Sequence, residues 1–357
     1  MLVKLFRWLR KKKEMRKWRV RITRNFKDLE NHRKLTRKQK KEVQDFYRDM
    51  IGKKVPLYCH EYFYSRTGYF TKEYVPNNLY HCELVPRANV SSMGGIGDKN
   101  LLDLTFPGEN VVPCILKNIN GYYYYDGRPI TEEEAISLCR NLDKVIIKPS
   151  RKSQGRGVEV FSATDGVTDK DGLTVAQLFK QYDRDFVVQE WVKQHKDMAA
   201  LNPTSVNTLR ILSYRSGMEV LIIYSVVRIG HSGSVIDNQC AGGISTTVSK
   251  DGRLGETAFG GYSSDNISKT DTGIVLAGYQ VPSYDKAIEM VKRLHMKMPY
   301  FDLIGWDVAI REDGEPVLIE YNMNPGLSQS AFKSGMGDYT ERVIRELWPR
   351  KNSLFLE

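Results

Sequence analysis

No run of about 18 apolar residues, the length a membrane-spanning helix needs, occurs in the 357-residue chain; stretches such as 220–227 are strand-sized and carry Tyr and Ser. A spanning helix is therefore excluded. Paired cysteines are lacking as well. Cys59, Cys82, Cys114, Cys139 and Cys240 are odd in number, widely spaced and without a CxxC motif, which argues against a disulfide framework or a zinc site and fits a reducing cytosol. Lys4, Arg7 and Arg10 interrupt what would have to be the apolar core of a signal peptide, so export is not expected. The chain has no internal repeat and no Ser-His-Asp or Cys-His arrangement of the kind nucleophilic catalysis requires. Acidic residues are scarce at one end only: residues 1–56 hold 21 Lys and Arg against 6 Asp and Glu, a net +15, whereas the other 301 residues hold 33 and 37, a net −4. The formal charge of +11 thus describes an arm and not the body, and it does not make the whole protein a nucleic-acid binder. With 41% hydrophobic and 27% charged residues, the composition is globular and the length allows two or three packed subdomains.

Residues 1–50 carry a helical pattern, with Leu2, Leu5, Phe6 and Leu9 at i, i+3, i+4 and i+7 among Lys and Arg. Three readings stay open for this arm: a helix packed on the body with solvated charges, an in-plane helix at an anionic membrane surface, or a nucleic-acid contact, against which stands the absence of any group that reads bases. Trp8 and Trp18 serve equally as interfacial anchors or stacking platforms. Residues 55–89, rich in aromatics and Pro, read as loops and short strands. Beyond residue 98 short strands alternate with helices. VIIK (145–148) and VEVF (158–161) read as strands joined by the loop 149–157, 207–215 and 219–229 as a hairpin turning at Ser216-Gly217, and 284–298 as a helix. The segments 304–310 and 316–321 flank an Asp313-Gly314 turn and form the clearest hairpin. An α+β body with more than one sheet follows, and a cleft between subdomains is its natural site.

Four features point to one kind of ligand. Lys148 ends a buried-looking strand and precedes SRKSQGRGV, in which Gln154, Gly155 and Gly157 form a polar glycine loop; backbone N–H groups there can approach phosphate, although a hairpin with two glycines is an equally simple reading. It is not a Walker A loop. On the C-terminal hairpin, Glu320 and Asn322 stand at i and i+2 of one strand, with Asp307 on its partner, three oxygen donors suited to magnesium. VVQEWV (187–192) ends an apolar strand in Gln189, Glu190, Trp191 and Val192, where a strand end could hold an adenine edge. Arg210 and Arg228, on apolar strands, either pair in the core or face a transferring phosphate.

The order and identity of these residues resemble the ATP-grasp superfamily over most of 98–326. GWDVAI followed by GEPVLIEYNMNPG resembles the magnesium hairpin of the ribosomal-protein glutamate ligases and D-alanine:D-alanine ligases, which implies Asp307, Glu320 and Asn322 as ligands of two Mg²⁺, with Mn²⁺ as a substitute. VIIKPS with GRGV resembles the strand and flexible loop over the triphosphate, implying Lys148 as a phosphate lysine. GDKNLLDLTFP resembles the superfamily's Asp-Lys turn, implying Lys99 as the second lysine. VVQEWV then matches the adenine hinge, and Arg210 in NTLRI the arginine at the phosphate. More narrowly, LKNINGYYYYDG, LNPTSVNTLRI, VVRIG, VIDN, GGIS and WDVAI together resemble the sugar-transfer-associated ATP-grasp family, accessory enzymes of polysaccharide and cell-surface glycan synthesis. Two departures, Lys269 to Gly273 where that family usually has a His-Pro pair and a glycine loop with only two glycines around Arg156, bear on substrate contacts more than on ATP.

The resemblance implies two α+β subdomains clamping ATP behind a basic helical arm: 1–56 the arm, 57–143 an N-terminal α/β region, 144–192 the small subdomain with the glycine loop, and 193–350 the large subdomain with the magnesium site. It implies an ATP-dependent carboxylate–amine ligase that works through an acyl phosphate, with Lys148, Arg210 and Arg228 catalytic, in the cytoplasm or peripheral at the inner membrane surface. A kinase acting on a sugar or polyol hydroxyl is the rival enzyme, with Asp237 or His231 as loosely placed candidates for its base. A nucleotide-binding scaffold of a glycan-synthesis complex is the rival without chemistry.

Overall fold

The computed structural model describes residues 2–152, 155–234, 237, 242–260 and 266–353. Three helices open the chain: α1 (Leu2–Lys27), α2 (Arg37–Ile51) and α3 (Tyr58–Thr67). A capping box starts α2, since Thr36 Oγ1 accepts from the Gln39 N–H and Gln39 Oε1 accepts from the Thr36 N–H; Gly52, at φ 67°, ends it. Val43, Tyr47 and Met50 form its buried stripe. Among the described residues no helix is long and apolar enough to cross a membrane.

The segment 55–89 corrects the expectation of short strands, for it is helical on either side of a loop at 68–76. After α3 the chain turns through Asn77–Leu79, a π turn Tyr80–Leu84 and Val85–Ala88. Its prolines sit where helices tolerate them, Pro76 as the residue before a first turn and Pro86 within one. The aromatics Tyr62, Phe63, Tyr74 and Tyr80 are buried, packed on helical neighbours and not alternating across a sheet.

Two antiparallel sheets make up the α+β body. The first contains β1 (Cys114–Ile119), β2 (Tyr122–Tyr125), β3 (Arg128–Ile130), β4 (Leu142–Pro149), β5 (Glu159–Thr164), β6 (Val167–Thr168) and β7 (Phe186–Glu190), in the order β3-β2-β1-β7-β4-β5-β6. Since β1 pairs with β7, this unit begins at Cys114, and residue 144, the expected boundary, falls inside it. Val145, Ile147 and Val188 pack under the helices Glu132–Leu138 and Val175–Tyr182. The alternation of strand side chains sends Ile146, Lys148 and Gln189 to the opposite face.

The second sheet contains β8 (Thr208–Ser216), β9 (Glu219–Ile229), β10 (Ile244–Val248), β11 (Leu254–Phe259), β12 (Leu303–Ile310) and β13 (Pro316–Asn322), in the order β11-β10-β9-β8-β12-β13. Leu209, Ile211, Trp306 and Val308 bury one face against the helix Tyr284–Met296. The other face is divided. Leu212, Tyr214, Tyr224 and Leu303 lie in the core shared with α2 and the helix Thr340–Leu347, while Thr208, Arg210, Arg228 and Asp307 continue the same face at its other end. The change from apolar to charged along one face marks where the covering helices stop and the cleft begins. The β12–β13 turn has the Asp313-Gly314 geometry read from the sequence: Gly314 is at φ 82°, and Asp313 Oδ1 accepts from the Glu315 N–H at 2.9 Å.

Candidate active site

A cleft with an accessible volume of about 120 Å³ lies between the two sheets. At one end Val112, Ile146, Val192, Val206 and Ile319 supply apolar walls beside Gln189, Glu190 and Trp191. Gln189 is 1% exposed and its Oε1 has no hydrogen-bond partner among the described residues. An orphaned acceptor in an apolar slot is the kind of group that a ligand donor satisfies. Trp191 itself carries the Lys144 ammonium over its ring, 4.1 Å from the centroid.

Along the cleft floor stand the lysines. Lys148 on β4 is 5% exposed; burial lowers its ammonium to about 8, opposed by the Glu320 carboxylate and reinforced by Lys99. Lys99 opens the short turn that Asp98 caps by accepting from the Asn100 N–H, and its Nζ donates to Lys152 O at 2.9 Å and stands 3.3 Å from Glu320 Oε2. Lys99 thereby ties the glycine loop to β13. Within that loop Gly157, at φ 73°, is required: a Cβ there would come within 3.0 Å of the Pro149 ring. Gly155 lines the cleft with Lys152 and Arg156, and Gln154 lies outside the described residues.

The third group is the carboxylate pair. Asp307 on β12 faces Glu320 on β13 directly, because the register shifts between Asp307 and Val308: Val308 pairs with Leu318, leaving Ile319 as an extra residue that lines the cleft. Such bulges re-aim side chains near functional sites. Asp307 is 4% exposed and bound bidentately by Arg210, Nε to Oδ1 at 2.5 Å and Nη2 to Oδ2 at 2.6 Å, with Arg228 Nη1 at 3.4 Å from both oxygens. Burial works against its charge, but the two guanidiniums outweigh it and hold the carboxyl well below the usual carboxylate range.

The structure therefore gathers Lys99, Lys148, Gly155, Gln189, Glu190, Trp191, Val192, Arg228, Asp307 and Glu320 around one cavity. Three expected residues stand apart from it: Gly157, which shapes the loop without lining the cavity, Arg210 and Asn322. Arg210 sits behind Asp307, 7% exposed, so its fork is spent on the carboxylate and not turned to a phosphate. Asn322 shares the sheet face of Glu320, but its Oδ1 accepts from the Asn324 N–H at 2.8 Å, and the residue lines a neighbouring cavity with Trp18, His81 and Asn324. Among the described residues no three His, Cys, Asp or Glu converge, so a cation here has two carboxylates and must draw its other oxygens from elsewhere. A nucleotide's phosphates meet that need, and the lysines and Arg228 would balance their charge; the donor set fits a divalent cation that arrives with a triphosphate.

Sequence reasoning did not single out Thr208, Lys152 or Arg156 as lining residues, and left Asp237 only loosely placed. Asp237 belongs to the cleft: Thr208 Oγ1 donates to its Oδ2, and burial pushes its carboxyl up to about 6 against the pull of Arg228 and Thr208. The register supplies the missing signal, since Thr208 pairs with Arg228 on the charged end of the sheet. His231 is exposed, with Nδ1 3.1 Å from Ser232 O, and does not line the cleft.

Residues 112–343 match the family model described as sugar-transfer associated ATP-grasp. No curated protein matches the chain. Similar solved structures include the ATP-grasp ligase PsnB complexed with a phosphomimetic variant of minimal precursor, Mg and ADP, at 10% identity over 73% of this chain and 61% of that one, TM-score 0.41. Others are an L-amino acid ligase from Bacillus licheniformis (10% identity, 74% and 51% coverage, TM-score 0.40) and D-alanine–D-alanine ligase from Bacillus anthracis complexed with ATP (14%, 71% and 67%, TM-score 0.41). The chain spans 61% and 51% of the length of the first two. Likenesses this distant carry no argument about chemistry.

Proposed function

The chain belongs to the sugar-transfer-associated ATP-grasp family, and from that premise we propose that it is an ATP-dependent carboxylate–amine ligase of polysaccharide or cell-surface glycan biosynthesis. The observation that carries this reading is Asp307 held opposite Glu320 in a cleft whose floor is Lys99 and Lys148 and whose far end is an apolar slot with an orphaned acceptor. The slot takes the adenine, with Gln189 to Val192 as its hinge. Lys99 and Lys148 hold the α and β phosphates. Asp307 and Glu320 would hold a magnesium ion, with Asn322 available once it releases the Asn324 N–H. When bound, the cation would supply charge neutralisation for phosphoryl transfer.

In this proposal the γ-phosphoryl passes to a substrate carboxylate oxygen as its bond to ADP breaks, giving an acyl phosphate. Arg228 lines the cleft and stabilises the transferring group, while Arg210 positions Asp307. An amine attacks the acyl carbon, the C–O bond to phosphate breaks, and the amine loses a proton. Lys152, Gly155, Arg156 and Val158, which line the site, keep water from the acyl phosphate. Incubation with ATP, magnesium and a panel of uronic acids, amino acids and amino sugars, followed by weighing of the products, tests this: an amide formed with ADP and phosphate supports it, and a phosphorylated sugar overturns it in favour of the kinase. One observation favours that second reading, namely the Asp237 carboxyl beside Arg228, where a hydroxyl acceptor would find its base.

A further inference from the structure

Helix α1 has two faces of different chemistry. Its inner face docks on the body: Ile22 and Asn25 are buried, Trp18 stacks on His81 at 3.8 Å between centroids, and Lys11 pairs with Glu83. His81 Nδ1 in turn lies 3.0 Å from Asn324 Oδ1, so the helix is fixed to the segment that follows β13. The i, i+4, i+7 spacing of Trp18, Ile22 and Asn25 defines this face. The outer face carries Lys13, Arg16, Arg19, Arg24 and Lys27, all exposed, with Leu9 and Val20 exposed by 51% and 58% among them. At 100° per residue, Leu9, Lys13, Arg16, Val20, Arg24 and Lys27 fall within one half of the helix circumference, away from Trp18, Ile22 and Asn25. Leu9 and Val20 thus share the basic face of the helix and not its docked face.

The geometry points to this outer face as a docking surface for a phospholipid bilayer with anionic headgroups, the basic residues meeting the phosphates and Leu9 and Val20 entering the acyl boundary. It goes beyond the ligase reading and holds whichever acceptor the cleft uses. Charge complementarity selects the anionic surface, and the interleaved apolar residues select lipid over nucleic acid, whose phosphates offer them nothing to enter. With the inner face tied through His81 to Asn324, a docked helix also holds the end of the metal-binding strand beside the lipid surface, which suits a membrane-borne acceptor.

The test is cosedimentation of the full chain with phosphatidylcholine vesicles, with and without 30% phosphatidylglycerol, against a 20-base-pair DNA duplex as competitor. Each basic residue near an anionic surface adds about fivefold to partitioning, so the fourfold variant Lys13→Glu, Arg16→Glu, Arg24→Glu, Lys27→Glu should lose at least 100-fold, with ATP turnover and circular dichroism unchanged. Leu9→Ser with Val20→Ser keeps every charge and should still lose about tenfold. Binding to neutral vesicles as strong as to anionic ones, binding unaffected by both variants, or retention on the duplex in preference to the vesicles would each overturn the proposal.

Discussion

Replacing Lys148 by Met separates two effects of one buried charge. In the ligand-free chain burial lowers the ammonium to about 8, so at pH 7 the proton is on and at pH 9 it is largely off. A phosphate beside Nζ restores the charged form, so binding above pH 8 takes up a proton and the affinity falls by about tenfold between pH 7 and pH 9. A charge-assisted contact contributes roughly 1.5 to 3 kcal/mol, or about 10- to 150-fold in Kd. Lys148→Met should therefore bind a non-hydrolysable ATP analogue with magnesium that much more weakly at pH 7, show no pH dependence assignable to this group, and approach the natural chain at pH 9. Stability moves the other way. Because the folded pKa lies below the unfolded one, the unfolded chain binds more protons between about pH 8 and 10, and the ligand-free protein gains stability as pH rises through that window. Titration calorimetry at pH 7, 8 and 9 in buffers of different ionisation heat measures affinity and proton uptake together. Affinity flat across that range in the natural chain, or a slope that survives in Lys148→Met, would refute the reasoning.

Glu320→Gln should lower ATP turnover by about 100-fold or more through loss of a cation ligand, yet leave melting nearly unchanged, because its partner Lys99 is a single ammonium 3.3 Å from a carboxylate with 34% side-chain exposure; a coupled ADP-release assay beside a thermal melt checks both. Asp307→Asn should lose turnover and also about 3 to 5 kcal/mol of stability, since Arg210 and Arg228 would keep their buried charge without the carboxylate, which denaturant titration measures. The depressed pKa of Asp307 means that this stabilisation is complete at neutral pH and is lost only as the pH falls below the ordinary carboxylate range. Asp237→Asn discriminates the two enzymes: a kinase rate rises through pH 6 as the carboxyl loses its proton and forfeits that limb in the variant, whereas a ligase keeps the same pH profile in both.

What could be read from residue order was whatever depends on neighbours along the chain. The hairpins at Ser216-Gly217 and Asp313-Gly314 are local, because turn chemistry and strand alternation lie within a dozen residues of each other, and both pairs of strands form. Lys148, Glu190 and Glu320 could be placed at the ends of strands for the same reason. The helical nature of 55–89 was hidden because its aromatics are buried from several directions, which erases the single-stripe periodicity that marks an amphipathic helix.

Arg210 illustrates the harder class. Its partner Asp307 is 97 residues away, and their meeting requires that β8 lie between β9 and β12, a sheet order that no local pattern encodes. Once that order is known, register alone sets Arg210 opposite Asp307 and Thr208 opposite Arg228, and the charged end of the sheet follows. Asn322 shows the converse limit: strand alternation assigns it to the face of Glu320, but β13 ends there, and the freed Asn324 N–H competes for its oxygen. Alternation specifies a face and not which atom the side chain meets on it. A cation that recruits Asn322 must therefore outcompete a 2.8 Å hydrogen bond from a backbone donor, so Asn322→Ala should weaken cation binding in the nucleotide complex while also loosening the turn at Asn324. Asn322→Asp keeps the acceptor and adds charge, and should restore the turn and strengthen the cation site. Manganese titration of the nucleotide-bound protein, followed by electron paramagnetic resonance, separates the two: equal affinity in all three proteins would leave Asn322 a turn residue with no part in holding the metal.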